Sequence, residues 1–411
     1  MIEMIEVKGK YNTAKIFTDK IEETAYGQIL ELCNQKAFKD TKIRIMPDTH
    51  AGKGCVIGFT AQLKERVVPN LIGVDIGCGM TVTELGHIDI DFKVLDEFIR
   101  NHVPHGNSIN QTVKASGLSN ELMENLSTIS SKTGTVLEKH MRSLGSLGGG
   151  NHFIEINEDS QGNKYLVIHS GSRNLGLQVA KYHQKRAEEY CENKTNDLRN
   201  KMNKEVGLLK QSMEFEKIQS AIDKYEPLFS EYRVPKALMF LEGEQAEEYL
   251  VDMYAAQEFA MWNRKTMSNT ITNFLGLKET NGFTSVHNYI NPNDKVIRKG
   301  AISAMKGEKV IIPINMRDGS IIAIGKGNED WNNSAPHGAG RLMSRSKAKE
   351  CLTMEEFKNT MQEVWSSSVG EATLDEAPMA YKPIEDILNN VTESLEIIEV
   401  IKPLYNFKAS N

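Results

Sequence analysis

KIRIMPDTHAGKGCVIGFTAQL, residues 42–63, sets the pattern from which the fold is read. KIRIMPD (42–48) and CVIGFTAQL (55–63) read as buried strands, and between them the segment with His50, Gly52 and Gly54 is a polar, glycine-bearing loop. The same texture recurs in LIGVDIG (71–77), NHFIEI (151–156) and YLVIHSG (165–171), each read as a buried strand running out into a loop. Between these runs LDEFIRNHV (95–103) and SNELMENLSTISS (119–131) have helical spacing. Strands and helices mix as in an α+β fold, with a β-sheet core around a central cleft.

Further along, the texture changes. From about Gln178 to Pro227 the chain is charge-rich, with Leu and Met at intervals, and reads as a hairpin of helices. GEQAEEYLVDMYAAQEFAMWNRKTMSNTITNFL (243–275) follows with stronger amphipathicity and is expected to pack back on the core. Strand-like runs return at KVIIPINM (309–316) and SIIAIGKG (320–327), and PIEDILNNVTESLEIIEVIKPL (383–404) reads as a last helical stretch. No repeat or low-complexity linker divides the chain. The expectation is one catalytic domain over 1–411 with a helical insertion at about 178–275.

Composition narrows the function. Forty-nine Lys and Arg against fifty-five Asp and Glu leave a net charge of −6, which disfavours a protein that coats nucleic acid through a global positive field. A local basic site is still allowed. Five scattered cysteines argue for a reducing compartment, not a disulfide framework. The N-terminal stretch MIEMIEVKGKYNTAKIF lacks the uninterrupted apolar segment of a signal peptide, and VVPNLIGVDIGCGMTV (67–82) carries Pro69 and Asp75, so neither a leader nor a membrane span is expected. A cytoplasmic protein follows.

Of ten histidines, five sit at strand ends or beside glycine: His50, His152, His169, His287 and His337. Asp75 and Cys78, three apart around Gly77, add a carboxylate and a thiolate. Together these donors suit borderline ions such as Mn²⁺, Zn²⁺, Co²⁺ or Fe²⁺ and do not suit Mg²⁺ or Ca²⁺. LGSLGGGNHF and HGAGR let backbone N–H groups approach an anion, with Arg173 and Arg341 as phosphate contacts. GSIIAIGKG is not a Walker loop, because Gly327 stands where Ser or Thr is required. MRDG (316–319) has Met where nucleotidyltransferases of the Lys-x-Asp-Gly type carry lysine. His337, between Pro336 and Gly338, is instead the candidate nucleophile.

PDTHAGKG, VDIGCGM, GGGNHFIE, HSGSR, HNY, RKGAISA, PHGAGRLMSRSKAK and APMAYK, in this order, resemble the RNA-splicing ligase RtcB family from about residue 40 to Lys408. The resemblance implies a GTP- and Mn²⁺-dependent ligase joining RNA 3′-phosphate or 2′,3′-cyclic phosphate ends to 5′-hydroxyl ends. His337 would become the guanylylated residue, and Asp75, Cys78, His152, His169 and His287 would hold two manganese ions, with Cys78 bridging them. Asn151, His152, Phe153, Ile154, Glu155, His287, Asn288, Pro313, Ile314, Asn315, Met316, Ser320, His337, Gly338, Ala339, Gly340 and Lys408 match guanylate-contacting positions. Arg173 and Arg341 would meet RNA or phosphate, and Tyr381 would line the nucleotide pocket. The resemblance also implies a monomer or a loose assembly.

One stretch departs from the family pattern. Many relatives have Pro-Gly-Ser-Met-Gly where this chain reads PINMRDG (313–319), with Ile314, Asn315 and Arg317 in place of two glycines and a serine. Altered base or phosphate recognition is expected there. Two rival functions are a metal-dependent RNA-end phosphatase or cyclic phosphodiesterase, with the same ligands but no nucleotide step and no need of His337 as nucleophile, and a non-catalytic RNA-end-binding factor whose metal is structural.

Overall fold

The computed structural model describes residues 4–114, 117–278 and 280–409; the first three residues of the N-terminal stretch read above lie outside that range. A seven-stranded antiparallel sheet runs in the order Lys309–Asn315, Gly319–Gly325, Leu395–Lys408, Phe153–Glu158, Lys164–Ser170, Gly79–Gly86, Gly282–Val286. Its two edge strands curl towards each other, and the Ile311 N–H donates to Ser285 Oγ at 3.0 Å across the seam. The sheet is thus close to a barrel, with Met80, Val82, Phe153, Val167, Ile311, Ile322 and Ile401 packed together on one face.

The opposite face follows from the period-two alternation of strands. Ile154, Ile156, Leu166 and Ile168, with Tyr405 and Phe407, meet Leu95 and Ile99 of the helix Phe92–His102 and Met267 and Ile271 of the helix Glu244–Phe274. Each such aliphatic side chain stabilises the fold by roughly 1.5–3 kcal/mol when fully buried. A six-stranded sheet, Ile5–Lys8, Thr13–Ile16, Ile43–His50, Ile57–Gln62, Val296–Lys299, Tyr289–Ile290, lies beside the first. A two-stranded ribbon, Ala301–Ser303 with Ser334–Pro336, delivers the chain to His337. The architecture is α+β, as the sequence texture implied.

The helix Arg173–Gln211 and the helix Ile218–Tyr232 form the hairpin, with Pro227 inside the second helix instead of ending it. Two readings are corrected. LIGVDIG is not a strand: Pro69–Leu71 is a 3₁₀ turn, and Gly73 and Gly77 take φ of 99° and 70°, which breaks the extended run before Gly79. The stretch 383–404 is helical only over Ile384–Leu388; Leu395–Lys408 is a central strand. Ile397, Ile398, Val400 and Ile401 favour the pleated form, and pairing on both edges overrides the helical spacing. Pro403, which has no N–H to give, sits where the register shifts between Pro403 and Tyr405. Among the described residues no helix is long and apolar enough to cross a membrane.

Candidate active site

Four neighbouring strands of the seven-stranded sheet end at one point, and their ends carry the soft donors. His169 lies in Lys164–Ser170 opposite Met80 on one side and Phe153 on the other. Cys78 and His152 each directly precede a strand, and His287 directly follows one, its N–H donating to Cys78 O at 2.8 Å. Cys78 Sγ is 3.3 Å from His169 Nε2 and 3.5 Å from His152 Nε2, and His169 Nε2 is 3.4 Å from His287 Nε2. Asp75 Oδ2 lies 3.0 Å from His152 Nε2. The tight Gly77 turn aims Asp75 inward, and Gly171 leaves room for it: a Cβ there would lie 2.1 Å from Asp75 Oδ1.

The outer ring nitrogens fix these imidazoles. His152 Nδ1 meets Leu147 O at 2.9 Å and His169 Nδ1 meets Asn151 O at 3.2 Å, which turns both Nε2 atoms towards Cys78. Burial holds His169 and His287 well below the ordinary imidazole range, so both are neutral lone-pair donors. Burial, joined by the Asp75 carboxylate, pushes the Cys78 thiol well above its ordinary value, with Arg264 acting against them. Burial would also raise Asp75, but its hydrogen bond and charge contact with His152 leave it lowered. Cys78, His152 and His169 offer ligand atoms within 4.8 Å of one another. A thiol, imidazoles and a carboxylate so gathered fit a borderline divalent ion, whose binding would displace the thiol proton.

His337 stands beside this cluster, its ring 4.7 Å from that of His287. Both its backbone N–H and Nδ1 point at Asp48 Oδ2, at 3.2 and 2.8 Å, and Asp48 is fully buried at the end of the six-stranded sheet. A carboxylate only accepts, so Nδ1 carries the proton and Nε2 keeps a lone pair. Gly340 permits this approach, because a Cβ there would lie 2.5 Å from Asp48 O.

A cavity of about 320 Å³ opens over these groups. Asp75, Cys78, His169 and His287 line its floor, with Asn151, Phe153, Glu155 and Asn288 along the sheet. Pro313, Ile314, Asn315 and Met316 form one side, and His337, Gly338, Ala339, Gly340, Arg341 and Tyr381 another, with Lys408 reaching from the sheet to Glu376. Four expected residues do not line it. His152, though part of the cluster, is buried beneath the cavity lining; Ile154, pointing to the other face of its strand, joins the helix-packed core. Ser320 is fully buried. Arg173 is tied back to Gly106 O at 2.8 Å and Ser146 Oγ at 3.2 Å. Arg341 lines the cavity while its guanidinium engages Glu376 and Asp375 O.

Several participants were not read from the sequence. Asp48 stood inside PDTHAGKG but signalled nothing without His337, which lies 289 residues away. Arg345 and Glu376 also line the cavity, beside His50, one of the five histidines singled out in the sequence. The helix Glu244–Phe274, expected only to pack, contributes Arg264 to Gly77 O and Ser170 O at 2.8 and 2.9 Å, and Asn263 to the loops at 145–146 and 171. MWNRKTM holds both; their full burial shows only in the fold, and nothing in the sequence marked them.

The comparisons with known proteins bear on this cavity directly. A family model described as tRNA-splicing ligase RtcB matches residues 31–409, which span every segment that builds the site. The RNA-splicing ligase RtcB of Escherichia coli (strain K12) is 32% identical over 397 residues, covering 88% of this chain and 88% of that protein. The tRNA-splicing ligase RtcB of Aeropyrum pernix is 26% identical over 435 residues, covering 84% and 82%. That of Methanococcus maripaludis is 24% identical over 485 residues, covering 97% and 94%. From Asp48 to Lys408 the cavity is made of residues inside the matched region, and the chain belongs to the tRNA-splicing ligase RtcB family, a family of ligase enzymes.

Proposed function

We propose that this chain is a GTP- and Mn²⁺-dependent RNA ligase that joins a 3′-phosphate or 2′,3′-cyclic phosphate end to a 5′-hydroxyl end. The observation that carries the reading is His337 itself: one ring nitrogen is held by a buried carboxylate, the other is free, and a thiol-imidazole cluster lies alongside. Neither rival function needs a poised imidazole at that point.

In this reading Asp75, Cys78, His152, His169 and His287 would hold two manganese ions, with the Cys78 thiolate as a ligand they could share. The ions, when bound, would neutralise charge on phosphate oxygens. His337 Nε2 attacks the α-phosphorus of GTP; an N–P bond forms, the bond to the bridging oxygen breaks, and pyrophosphate leaves. The Asp48 carboxylate accepts the hydrogen bond from Nδ1–H and so supports the positive charge that grows on the ring. An RNA 3′-phosphate, after hydrolysis of any cyclic ester, then takes GMP from the histidine. The 5′-hydroxyl attacks the activated phosphate, GMP departs, and a phosphodiester remains. Glu155, Phe153 and Lys408 on the sheet wall receive the guanosine, and Tyr381 and the Pro313–Met316 side close over it.

The same reading takes the chain as one catalytic domain with the helices at about 178–275 set into it, acting as a monomer in the cytoplasm. Five free cysteines, four of them buried, support a reducing compartment.

Incubation with α-labelled GTP and Mn²⁺ tests the reading. The expected result is an acid-labile, base-stable label on wild type and none on His337→Ala. Label that survives His337→Ala, or a manganese-loaded wild type that takes none, sinks the ligase mechanism in favour of a phosphatase or a binding factor. Cys78→Ala is expected to lose metal by elemental analysis; two ions retained would refute its bridging role.

A further inference from the structure

Glu155 is 2% exposed and faces the cavity, and each of its oxygens is met by an asparagine amide. Asn406 Nδ2 donates to Oε1 at 2.6 Å, and Asn157 Nδ2 donates to Oε2 at 3.2 Å. Both asparagines are fully buried. The arrangement follows from register: Asn406 is the cross-strand partner of Glu155, and Asn157 lies two residues on along the same face. Their own Oδ1 atoms have no partner among the described residues. Turned over, each amide would set oxygen against oxygen, so the carboxylate alone fixes which way they face. Buried polar groups left half-satisfied in this way call for an explanation in function.

A carboxylate oxygen has two acceptor sites, and the asparagines occupy one on each. The remaining pair can take two donors side by side. Guanine offers that pair, N1–H and the N2 amine, along one edge. Adenine has an unprotonated N1 on the corresponding edge and would set a lone pair against the carboxylate. We propose that Asn157 and Asn406 are positioning residues for nucleotide choice, an amide clamp that presents Glu155 to guanine and thereby rejects adenine. This rests on the guanosine-nucleotide reading above and adds the residues that enforce it. Among the described residues neither asparagine hydrogen-bonds to His337 or to the metal-ligand cluster, so clamp and chemistry are separable.

Equilibrium titration of the manganese-loaded full-length protein with GMP and AMP, run beside the labelling assay with GTP and ATP, tests the clamp. Wild type should bind GMP at least ~100-fold more tightly than AMP, since a site built around buried polar groups rejects the mismatched base strongly. Asn406→Asp keeps the shape but replaces the donor with a second carboxyl; Asn157→Ala removes the other donor. Each should weaken GMP by roughly tenfold, the worth of a hydrogen bond to a charged group, and leave AMP binding and metal content unchanged. Two such variants guard against one failing to fold. A folded variant that keeps the wild-type GMP-to-AMP ratio, or loses both nucleotides equally, overturns the proposal. Wild type that prefers GMP yet takes no label from GTP supports the selectivity while sinking the covalent step. Wild type that binds both nucleotides alike overturns the clamp alone.

Discussion

Glu155 and Glu376 line the same cavity, and the two walls treat a buried carboxylate in opposite ways. On the sheet wall Glu155 meets neutral amides, with Lys408 adding only a weaker charge contact, and burial pushes it up to about 7. On the loop wall burial would raise Glu376 too, but Lys408, Tyr381 and Arg345 hold it at about 2. Lys408 Nζ lies 2.8 Å, Arg341 3.2 Å and Arg345 3.3 Å from its oxygens. The loop wall is therefore a permanently charged frame, and the sheet wall holds a carboxylate that can lose or keep its proton near neutrality. Cations fix one carboxylate as an anion, whereas neutral amides leave the charge of the other to be set by burial.

Breaking the frame is expected to have the largest effect on stability. Glu376→Ala leaves Lys408 and two arginines around a buried site without their carboxylate, a change that costs about 3–5 kcal/mol when a buried pair loses one partner. Chemical denaturation would measure it. A loss under ~1 kcal/mol would mean that solvent already screens those cations and that the two walls do not differ as described.

Glu155→Gln is expected to act on recognition instead of folding. The amide retains one acceptor and gains a donor that opposes guanine, so GTP should lose roughly two orders of magnitude in kcat/KM while ATP changes little. In nucleotide-free wild type a proton must leave Glu155 before it can accept two donors. Labelling at limiting GTP should therefore fall as pH drops through about 7, and the profile should flatten in Glu155→Gln. The linkage has a matching sign. Glu155 binds its proton more tightly folded than at its ordinary value of 4.5, so stability declines as pH rises from about 4.5 to about 7. Glu155→Gln should gain on wild type by a few kcal/mol across that window and no further above it. A constant difference would show that the carboxyl is not buried as a charge.

The two walls also differ in how they are written in the chain. The sheet wall was legible because Phe153 and Glu155 fall on one face of NHFIEI, and His169 shares that face through the register with the next strand. Its floor was legible from soft donors beside glycine. Ile154 shows the limit of residue-by-residue carry-over: a strand shows its cavity only every second side chain, and Ile154 belongs to the core behind. The loop wall was barely legible. Glu376, Asp375 and Arg345 come from segments with no periodic signal, and their pairing depends on distant contacts such as the Arg341–Tyr381 bridge. Asp48 and Arg264 were hidden for the same reason, since each works on a residue far off in sequence. LIGVDIG misled because an apolar run with glycines can be a strand or the turn that aims Asp75, and φ decides between them.

The smallest expected effect lies at the rim, in the PINMRDG departure. Asn315 Oδ1 accepts from the Arg317 and Asp318 N–H groups at 3.0 and 2.9 Å, and Asn315 Nδ2 donates to Asp318 Oδ2 at 2.8 Å. The turn is therefore shaped by an asparagine that folds back on its own backbone. Arg317 adds an ion pair to Asp318 at 2.7 Å, but its side chain is 47% exposed. Exposed pairs contribute about 0–1 kcal/mol, in contrast to the buried frame of Glu376 made from the same kinds of group. Arg317→Ala should then shift stability by less than ~0.5 kcal/mol and KM for GTP by less than about twofold, whereas Asn315→Ala should raise KM further because the Pro313–Met316 side of the cavity loses its brace. Michaelis constants for the two variants compared side by side would decide it: an Arg317→Ala effect exceeding that of Asn315→Ala would mean that the arginine itself meets the nucleotide, and that the charged wall extends to the rim.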